Sequence, residues 1–221
     1  MRIRKDGAAT REKILEAAPQ VFGEKGYHRA THAEICRIAG VNSALINFHF
    51  RSKDDLYRAV WEHVADEVER RYPIDGGVPA SARAAERLYG LVRSLLNRAV
   101  DDRLESFHRF RMVEFIAPTG LLDEAFFRRL QRHRTHTLKI LRDLLGPEAT
   151  DRDLELCEMS VVSQCLIFKP PAHVKGPPFT RLGVDCLAEH VTRFALAGIK
   201  AIRRRIESPG AGIMIEQGVS R

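Results

Sequence analysis

The sequence predicts an all-α protein. Hydrophobic residues recur at helical spacing through most of the chain, and the strict alternation typical of β-strands does not occur. Near the N-terminus two short helical segments flank a glycine turn, and longer segments separated by proline and glycine follow. These observations predict a three-helix helix-turn-helix domain over residues 1–53, a larger helical domain over residues 54–207 and a disordered tail over residues 208–221.

The stretch from residue 31 to residue 57 contains helix start and stop signals at helix-turn-helix spacing. Thr31 is predicted to cap the first short helix, and Gly40 is suited to the left-handed position just past its end. Asn42 is predicted to cap the second helix. Ser52 and Asp55 predict a capping box at the start of the next helix. This arrangement is typical of a DNA-reading element.

Candidate DNA contacts lie on the second short helix and its flanks. Asn47 and Ser43 are predicted to read base edges. Asn47 is chosen because an asparagine amide can pair bidentately with adenine. Thr31, Phe48, His49, Arg51 and Lys53 are predicted to contact phosphates or sugars. The full predicted DNA-binding set is Thr31, Ser43, Ala44, Asn47, Phe48, His49, Arg51 and Lys53.

The distribution of charge supports DNA as the partner. The chain carries a net charge of +7, and residues 1–53 hold ten Lys or Arg against five acids. The rest of the chain is close to neutral, so the positive excess lies where the reading element lies. An ordinary solvated basic face is the alternative. One residue departs from the pattern, because Pro19 falls inside the first helix and predicts a kink there.

The runs TREKILEAAPQVFGEKGY and AEICRIAGVNSALINFHFRSKDDLYRAV resemble the N-terminal domain of the TetR family of bacterial transcriptional regulators, over about residues 10 to 60. The resemblance implies a homodimer that binds an operator through two such domains and releases it when a small-molecule effector enters the C-terminal domain. Repression is the usual role in that family. Half-sites about one helical turn (~34 Å) apart or somewhat more, in a near-palindromic site, are expected.

Residues 107–127 are the predicted effector-binding segment, because aromatic residues and Met occur there with only a few polar groups. The run FRMVEFIAPTGLLDEAF also resembles the C-terminal domain of CecR-type regulators. Solvated side chains or ordinary salt bridges are the alternative for the polar residues. A mostly apolar ligand with one anionic or polar group is expected, and the helix from Asp54 to about Tyr72 is the expected lever. The predicted ligand-binding residues are His108, Arg111, Met112, Glu114 and Phe115.

The helices after Asp151 and Phe179 carry apolar residues on more than one side, which predicts a homodimer interface. Burial in the protomer's own core is the alternative. Asp151 is the predicted cap of the first of these helices. A loop rich in proline, residues 168–180, joins the two.

Other functional classes find less support in the sequence. No nucleophile elbow, phosphate-binding glycine loop, dinucleotide fingerprint or HExxH pair occurs, although isolated Ser, His and Asp residues of a small hydrolase could still converge. His133 and His136 are a weak metal candidate beside several arginines, and the four cysteines lack zinc spacing. No cofactor, metal, catalytic residue or membrane partner is therefore predicted, and the protein is expected to be cytoplasmic. A constitutive DNA-binding protein without an effector is the remaining alternative.

Overall fold

The computed structural model describes residues 2–166 and 182–208. The whole of the predicted proline-rich loop and the tail beyond Ser208 lie outside these ranges. The described residues form helices and no strand, which confirms the all-α class. The helices are α1 (Arg2–Arg29), α2 (His32–Ala39), α3 (Ser43–His49), α4 (Lys53–Arg71), α5 (Ala84–Val100), α6 (Glu105–Ile116), α7 (Asp123–Leu145), α8 (Asp151–Cys165) and α9 (Val184–Glu207). A short 3₁₀ turn, Asp102–Leu104, precedes α6.

Two compact units divide the chain. The N-terminal unit contains the residues up to Tyr72 together with Asp101–Gln131, and the C-terminal unit contains Pro73–Val100 together with the residues from Arg132 onward. Helices α4 and α6 therefore pack with the helix-turn-helix, and α7 contributes residues to both units. These units differ from the predicted domains, which assign residues 54–207 to one body. The predicted division of roles between the domains stays a prediction.

Aromatic packing forms the centre of the N-terminal unit. The ring of Tyr57 in α4 meets Phe22 of α1 edge-on at a centroid distance of 4.7 Å and Phe110 of α6 at 4.9 Å. All three side chains are buried. Burying a large apolar side chain contributes about 1.5–3 kcal/mol, so this cluster is a main source of stability for the unit. It joins α1, α4 and α6 around one core.

Two glycines near the end of α1 set how closely α6 approaches. A Cβ atom on Gly23 would stand 3.0 Å from the Cβ of Arg109, so the two helices are in close contact there. Gly26 has φ 73° and ψ 170°, a conformation that favours glycine, and it interrupts the helical geometry of α1. The helix continues through Pro19, and the residue that leaves helical geometry is Gly26, so the kink predicted at Pro19 stays a prediction. The buried neighbours Ala18 and Val21–Phe22 pack the helix into the core around the proline.

The C-terminal unit is built on α5, α8, α9 and the second half of α7. Its core consists of buried aliphatic residues from all four helices, including Leu88, Leu91, Leu141, Leu154 and Val191. Thr150, not the predicted Asp151, caps α8. Its hydroxyl accepts from the N–H of Asp153, and the Asp153 carboxylate accepts from the N–H of Thr150. The cap therefore lies one residue before the predicted one, and Asp153, at the third position of the helix, completes a capping box with Thr150.

The loop before α5 lies directly against that helix. Gly76 has φ 62°, and a Cβ atom on it would collide with the backbone of Gly90. A Cβ atom on Gly90 would in turn collide with the carbonyl oxygen of Asp75. The loop and helix therefore meet backbone to backbone at this crossing.

Candidate DNA-binding surface and effector region

Helix α2 has both of its predicted boundaries. The Thr31 hydroxyl accepts from the N–H of Glu34 over 3.3 Å, and the Glu34 carboxylate accepts from the N–H of Thr31, which completes a capping box. Gly40 ends the helix with φ 64° and ψ 34°, and its N–H donates to the carbonyl of Cys36. Thr31 therefore has a structural role in fixing the start of α2. Lys25 also pairs with Glu34, which ties this cap to α1.

Helix α3 is fixed by its cap and by one buried residue. The Asn42 side chain accepts from the N–H of Ala44 over 2.9 Å, as predicted. Ile46 is fully buried and holds the inner face of the helix, and Phe50 follows as a buried, extended residue. The predicted DNA-contact residues on the other faces of α3 are exposed, except His49, which is half-buried: Ser43, Ala44, Asn47, Phe48 and His49. Phe48 is the most exposed large apolar side chain of α3, at 79%.

The start of α4 holds a lysine against α1. Ser52 accepts from the N–H of Asp55 over 3.1 Å, but the reciprocal half of the predicted capping box is not formed. The ammonium of Lys53 donates to the carbonyl of His28 over 3.2 Å and lies 4.7 Å from the Tyr27 ring centroid. Burial lowers the pKa of Lys53, and Asp54 opposes that shift. The lysine is thus positioned at the helix N-terminus, where an anion is favoured.

His32 is a neighbour of the reading residues that sequence reasoning missed. It is the first residue of α2, and its Nε2 atom is buried. Burial lowers the pKa of His32 and so does the charge of Lys53, whereas a side-chain hydrogen bond with Asn47 raises it. His32 therefore lies beside both a predicted base reader and a predicted phosphate contact. Nothing in the local sequence indicates this, because the contacts join different helices.

The predicted effector residues lie on two different faces of α6. His108, Arg111, Met112 and Phe115 recur at helical spacing on one face, which is largely open to solvent, with Phe115 80% exposed. The guanidinium carbon of Arg111 lies 5.8 Å from the Phe107 ring centroid, and surrounding protein lowers the pKa of Arg111 by desolvation. No carboxylate pairs with it in the described part of the chain.

Glu114 lies apart from those four residues, on the face of α6 that packs against α4 within the N-terminal unit. Its Oε2 accepts from the hydroxyl of Tyr57 over 2.8 Å. Its Oε1 accepts from the backbone N–H and the hydroxyl of Thr119, over 3.0 and 2.9 Å. Both carboxylate oxygens are therefore used within the protein, so the structure gives Glu114 a positioning role between α4, α6 and the following loop.

A cavity of about 250 Å³ lies on the docked side of α6. Its walls come from the last turn of α1, from Tyr57, and from Val113, Ala117 and Thr119. None of the five predicted ligand residues lines it. The structure thus places four of the five predicted effector residues on an open helix face, and the fifth, Glu114, within the packing against α4.

The C-terminal unit presents an apolar surface on α8 and α9. On α8, Leu154, Cys157, Val161 and Cys165 are buried in the core. Apolar residues on another side of α8 are exposed, with Met159 at 62% and Leu166 at 66%, and Val162 beside them is half-buried. On α9, Phe194 is 65% exposed, and a Cβ atom on Gly198 would meet open space.

Comparison with known proteins identifies the family. Residues 84–199 match the C-terminal domain of the HTH-type transcriptional dual regulator CecR, and residues 14–60 match the bacterial regulatory proteins of the tetR family. This chain belongs to the TetR family of transcriptional regulators. It is therefore a DNA-binding regulator, and its family is one of regulators rather than enzymes.

Relatives of this TetR-family regulator agree with the assignment. CecR of Shigella flexneri is 26% identical over 178 residues, which span 74% of this chain and 77% of the relative. The HTH-type transcriptional repressor BepR of Brucella suis biovar 1 (strain 1330) is 44% identical over 59 residues, spanning 27% of this chain and 28% of BepR. The second match thus covers little more than a quarter of either protein.

Solved structures of regulators share the fold. A TetR-family transcriptional regulator from Streptomyces coelicolor aligns with a TM-score of 0.58 at 19% identity, covering 90% of this chain and 96% of the other. AibR, solved in complex with isovaleryl coenzyme A and operator DNA, aligns with a TM-score of 0.60 at 18% identity, covering 84% and 97%. At these identities the similarity is one of fold.

The described residues contain neither a metal-binding cluster nor a membrane-spanning helix. No group of three or more potential metal-binding side chains occurs there, and His133 lies 3.5 Å from the guanidinium of Arg98. No helix in the same residues is long and apolar enough to cross a bilayer. Cys36, Cys157 and Cys165 are buried free thiols, and Cys186 is an exposed one.

Proposed function

We propose that this regulator is a ligand-responsive repressor that binds a near-palindromic operator as a homodimer and releases it when a small molecule binds. The observation that carries the proposal is the fixed presentation of α3. Buried Ile46 and the Asn42 cap hold the helix, while Ser43 and Asn47 remain exposed beside the positioned Lys53. An exposed helix of this kind fits the major groove, and cations at its flanks fit phosphates.

The exposed apolar stripes on α8 and α9 support the homodimer. Leu156, Met159 and Leu166 on α8 and Phe194 on α9 are all between 48% and 66% exposed. Apolar surface of this extent is uncommon on a monomer and is typical of a subunit interface. The small exposed residue Gly198 lets a helix of the partner approach closely. Two protomers related by a twofold axis would present two α3 helices to a palindromic site.

The open face of α6 supports an effector contact. Met112 and Phe115 offer apolar surface, and Arg111 offers a guanidinium without a carboxylate partner among the described residues. Such a face suits an apolar ligand that carries an anionic group. AibR, which shares the fold, was solved with isovaleryl coenzyme A, a ligand with an apolar acyl group and anionic phosphates. A ligand lowers operator affinity only if it binds the conformation that does not bind DNA more tightly than the one that does. This difference in binding free energy is typically about 1–3 kcal/mol.

Selection of bound DNA from a random pool, followed by mobility shift, tests operator binding. The expected result is one near-palindromic sequence bound by two protomers. Transcription from a promoter carrying that sequence then tests repression, and increased transcription would contradict the repressor role. This measurement matters because the relative CecR is named a dual regulator.

Acyl coenzyme A thioesters and simple carboxylates, added to the protein–operator complex, test the effector role. Release of DNA together with thermal stabilisation of the free protein is expected. Met112→Trp and Phe115→Trp should reduce the response to ligand and leave operator affinity unchanged, whereas Leu182→Trp, at an exposed apolar position outside α6 and outside the proposed interface residues, serves as a control that leaves the response intact. If no compound stabilises the protein and the two α6 variants alter DNA affinity alone, a constitutive regulator is the better description.

A further inference from the structure

The first turns of α1 carry a positive charge excess outside the matched helix-turn-helix span. Residues 2–11 include four cations, Arg2, Arg4, Lys5 and Arg11, and one acid, Asp6. The family match begins at residue 14, whereas α1 begins at Arg2. These turns therefore lie outside the span that the family model matches, and none of their cations belongs to the contact set predicted from the sequence.

Packing places these turns beside the C-terminal end of α3. A Cβ atom on Gly7 would stand 3.8 Å from Cε1 of His49, the last residue of α3. One turn further along α1, the guanidinium carbon of Arg11 lies 5.4 Å from the Phe50 ring centroid. At 1.5 Å per residue, the five residues before Gly7 continue the helix roughly 7.5 Å past this contact. The start of α1 thus extends the surface that α3 presents.

The charges of this segment favour an anionic partner. Arg11 is exposed and pairs with no carboxylate among the described residues. The first turn of α1 contains no acid, although the N-terminal end of a helix dipole is positive and favours anions. Cations placed there repel the dipole, and Gly7 weakens the helix further. A bound polyanion would relieve the repulsion and stabilise these turns.

We propose that the first turns of α1 form a second DNA-contact surface, which binds backbone phosphates flanking the half-site that α3 reads. The proposal rests on the operator binding proposed above. Contacts to phosphates position the protein and add salt-dependent affinity, but they carry no base specificity. The surface therefore lengthens the bound DNA without changing the preferred sequence.

Neutralising the cations tests this surface. The triple variant Arg2→Gln, Arg4→Gln, Lys5→Gln should give a shallower plot of log affinity against log salt, by about 0.9 for each phosphate that is no longer neutralised. Its preferred sequence should be that of the wild type. The wild type should bind more weakly to duplexes from which the base pairs outside the half-sites have been removed. The affinity of the triple variant should not change when these base pairs are removed. The control variant Arg152→Gln, Lys200→Gln, Arg204→Gln removes the same charge from exposed positions of the C-terminal unit and should keep the wild-type slope.

Strengthening the helix tests the same surface in the opposite direction. An alanine at Gly7 would make ordinary contact with His49 and favours helix, so Gly7→Ala should tighten operator binding by about two- to fivefold. In the triple-variant background it should give no gain. A triple variant with the wild-type slope, or a control variant with an equally reduced slope, overturns the proposed surface. If the wild-type protein shows no preference for any DNA sequence in these assays, the proposed operator binding itself is wrong.

Discussion

The hydroxyl of Tyr57 in α4 donates a hydrogen bond to Oε2 of Glu114 in α6 over 2.8 Å. Tyr57 is 1% exposed, and burial together with the neighbouring carboxylate raises its pKa well above 10. The phenol therefore stays protonated and keeps donating throughout the physiological range. Because Glu114 also holds Thr119, this one carboxylate joins the helix that follows the DNA-reading element to α6 and to the loop after it.

Removing the Tyr57 hydroxyl should destabilise the protein. Tyr57→Phe leaves a carboxylate oxygen without its buried donor, so the free energy of unfolding in urea should fall by about 1.5–3 kcal/mol. Tyr89→Phe is the matched control, because the Tyr89 hydroxyl has no hydrogen bond among the described residues. A decrease below about 0.5 kcal/mol, or one equal to that of the control, would contradict the role of the bond.

The raised pKa of Tyr57 also predicts alkaline destabilisation. Above the pKa of about 10 of an unfolded tyrosine, the unfolded chain loses a proton that the folded protein keeps. The free energy of unfolding should therefore fall as the pH rises beyond 10. Tyr57→Phe should show a smaller fall over the same interval. Parallel stability curves for the two proteins between pH 9 and 11 would refute this explanation.

Asp101 predicts a loss of stability in acid. It accepts from the hydroxyl of Tyr72 over 2.7 Å and from Nε of Arg103 over 2.9 Å, and these donors hold its pKa well below its usual range. The contribution of ionised Asp101 to the free energy of unfolding is therefore complete above about pH 4, the pKa of an aspartate in the unfolded chain. It is lost as the pH falls below that value. Asp101→Asn should remove this acid dependence. Urea unfolding between pH 5 and 2, with Glu148→Gln as an exposed control, measures it.

Substitution of single DNA-binding residues should separate affinity from specificity. Lys53→Ala should weaken binding uniformly across sequences and reduce the salt slope by about one, because one phosphate is no longer neutralised. Asn47→Ala should relax the preference at one base pair and leave the slope nearly unchanged. Binding measured on the selected operator and on single-base variants distinguishes the two. A changed sequence preference with Lys53→Ala and none with Asn47→Ala would reverse these assignments.

An arginine on the exposed face of α9 should separate the subunits. A side chain at Gly198 meets open space within the protomer, so Gly198→Arg should fold normally and still abolish dimerisation. Sedimentation at micromolar concentration measures the assembly, with Glu148→Gln, which changes the net charge by the same amount at an exposed position, as the control. A monomeric wild type would refute the interface, and a dimeric Gly198→Arg would place it elsewhere.

The local signals at Thr31, Gly40 and Asn42 predict the ends of α2 and α3 correctly, although the cap of α8 lies one residue before the predicted Asp151. Contacts between distant residues do not follow from the sequence. The caps at Thr31, Gly40 and Asn42 depend on the backbone within a few residues, so their sequence pattern suffices. The roles of Glu114 and His32 depend on which helices pack together. The close approach of Gly23 to a residue of α6 shows why, because it requires two helices far apart in the chain to dock. Periodicity predicts a helix face but not its partner.

The backbone contact between Gly76 and Gly90 limits how this sequence can vary. At each position the missing Cβ atom would strike main-chain atoms, which cannot be exchanged for smaller ones. A side chain gained at one glycine therefore cannot be offset by any change at the other. Variation at this crossing would have to begin with the length or path of the loop itself, so insertions and deletions there are tolerated only if they move the chain away from α5.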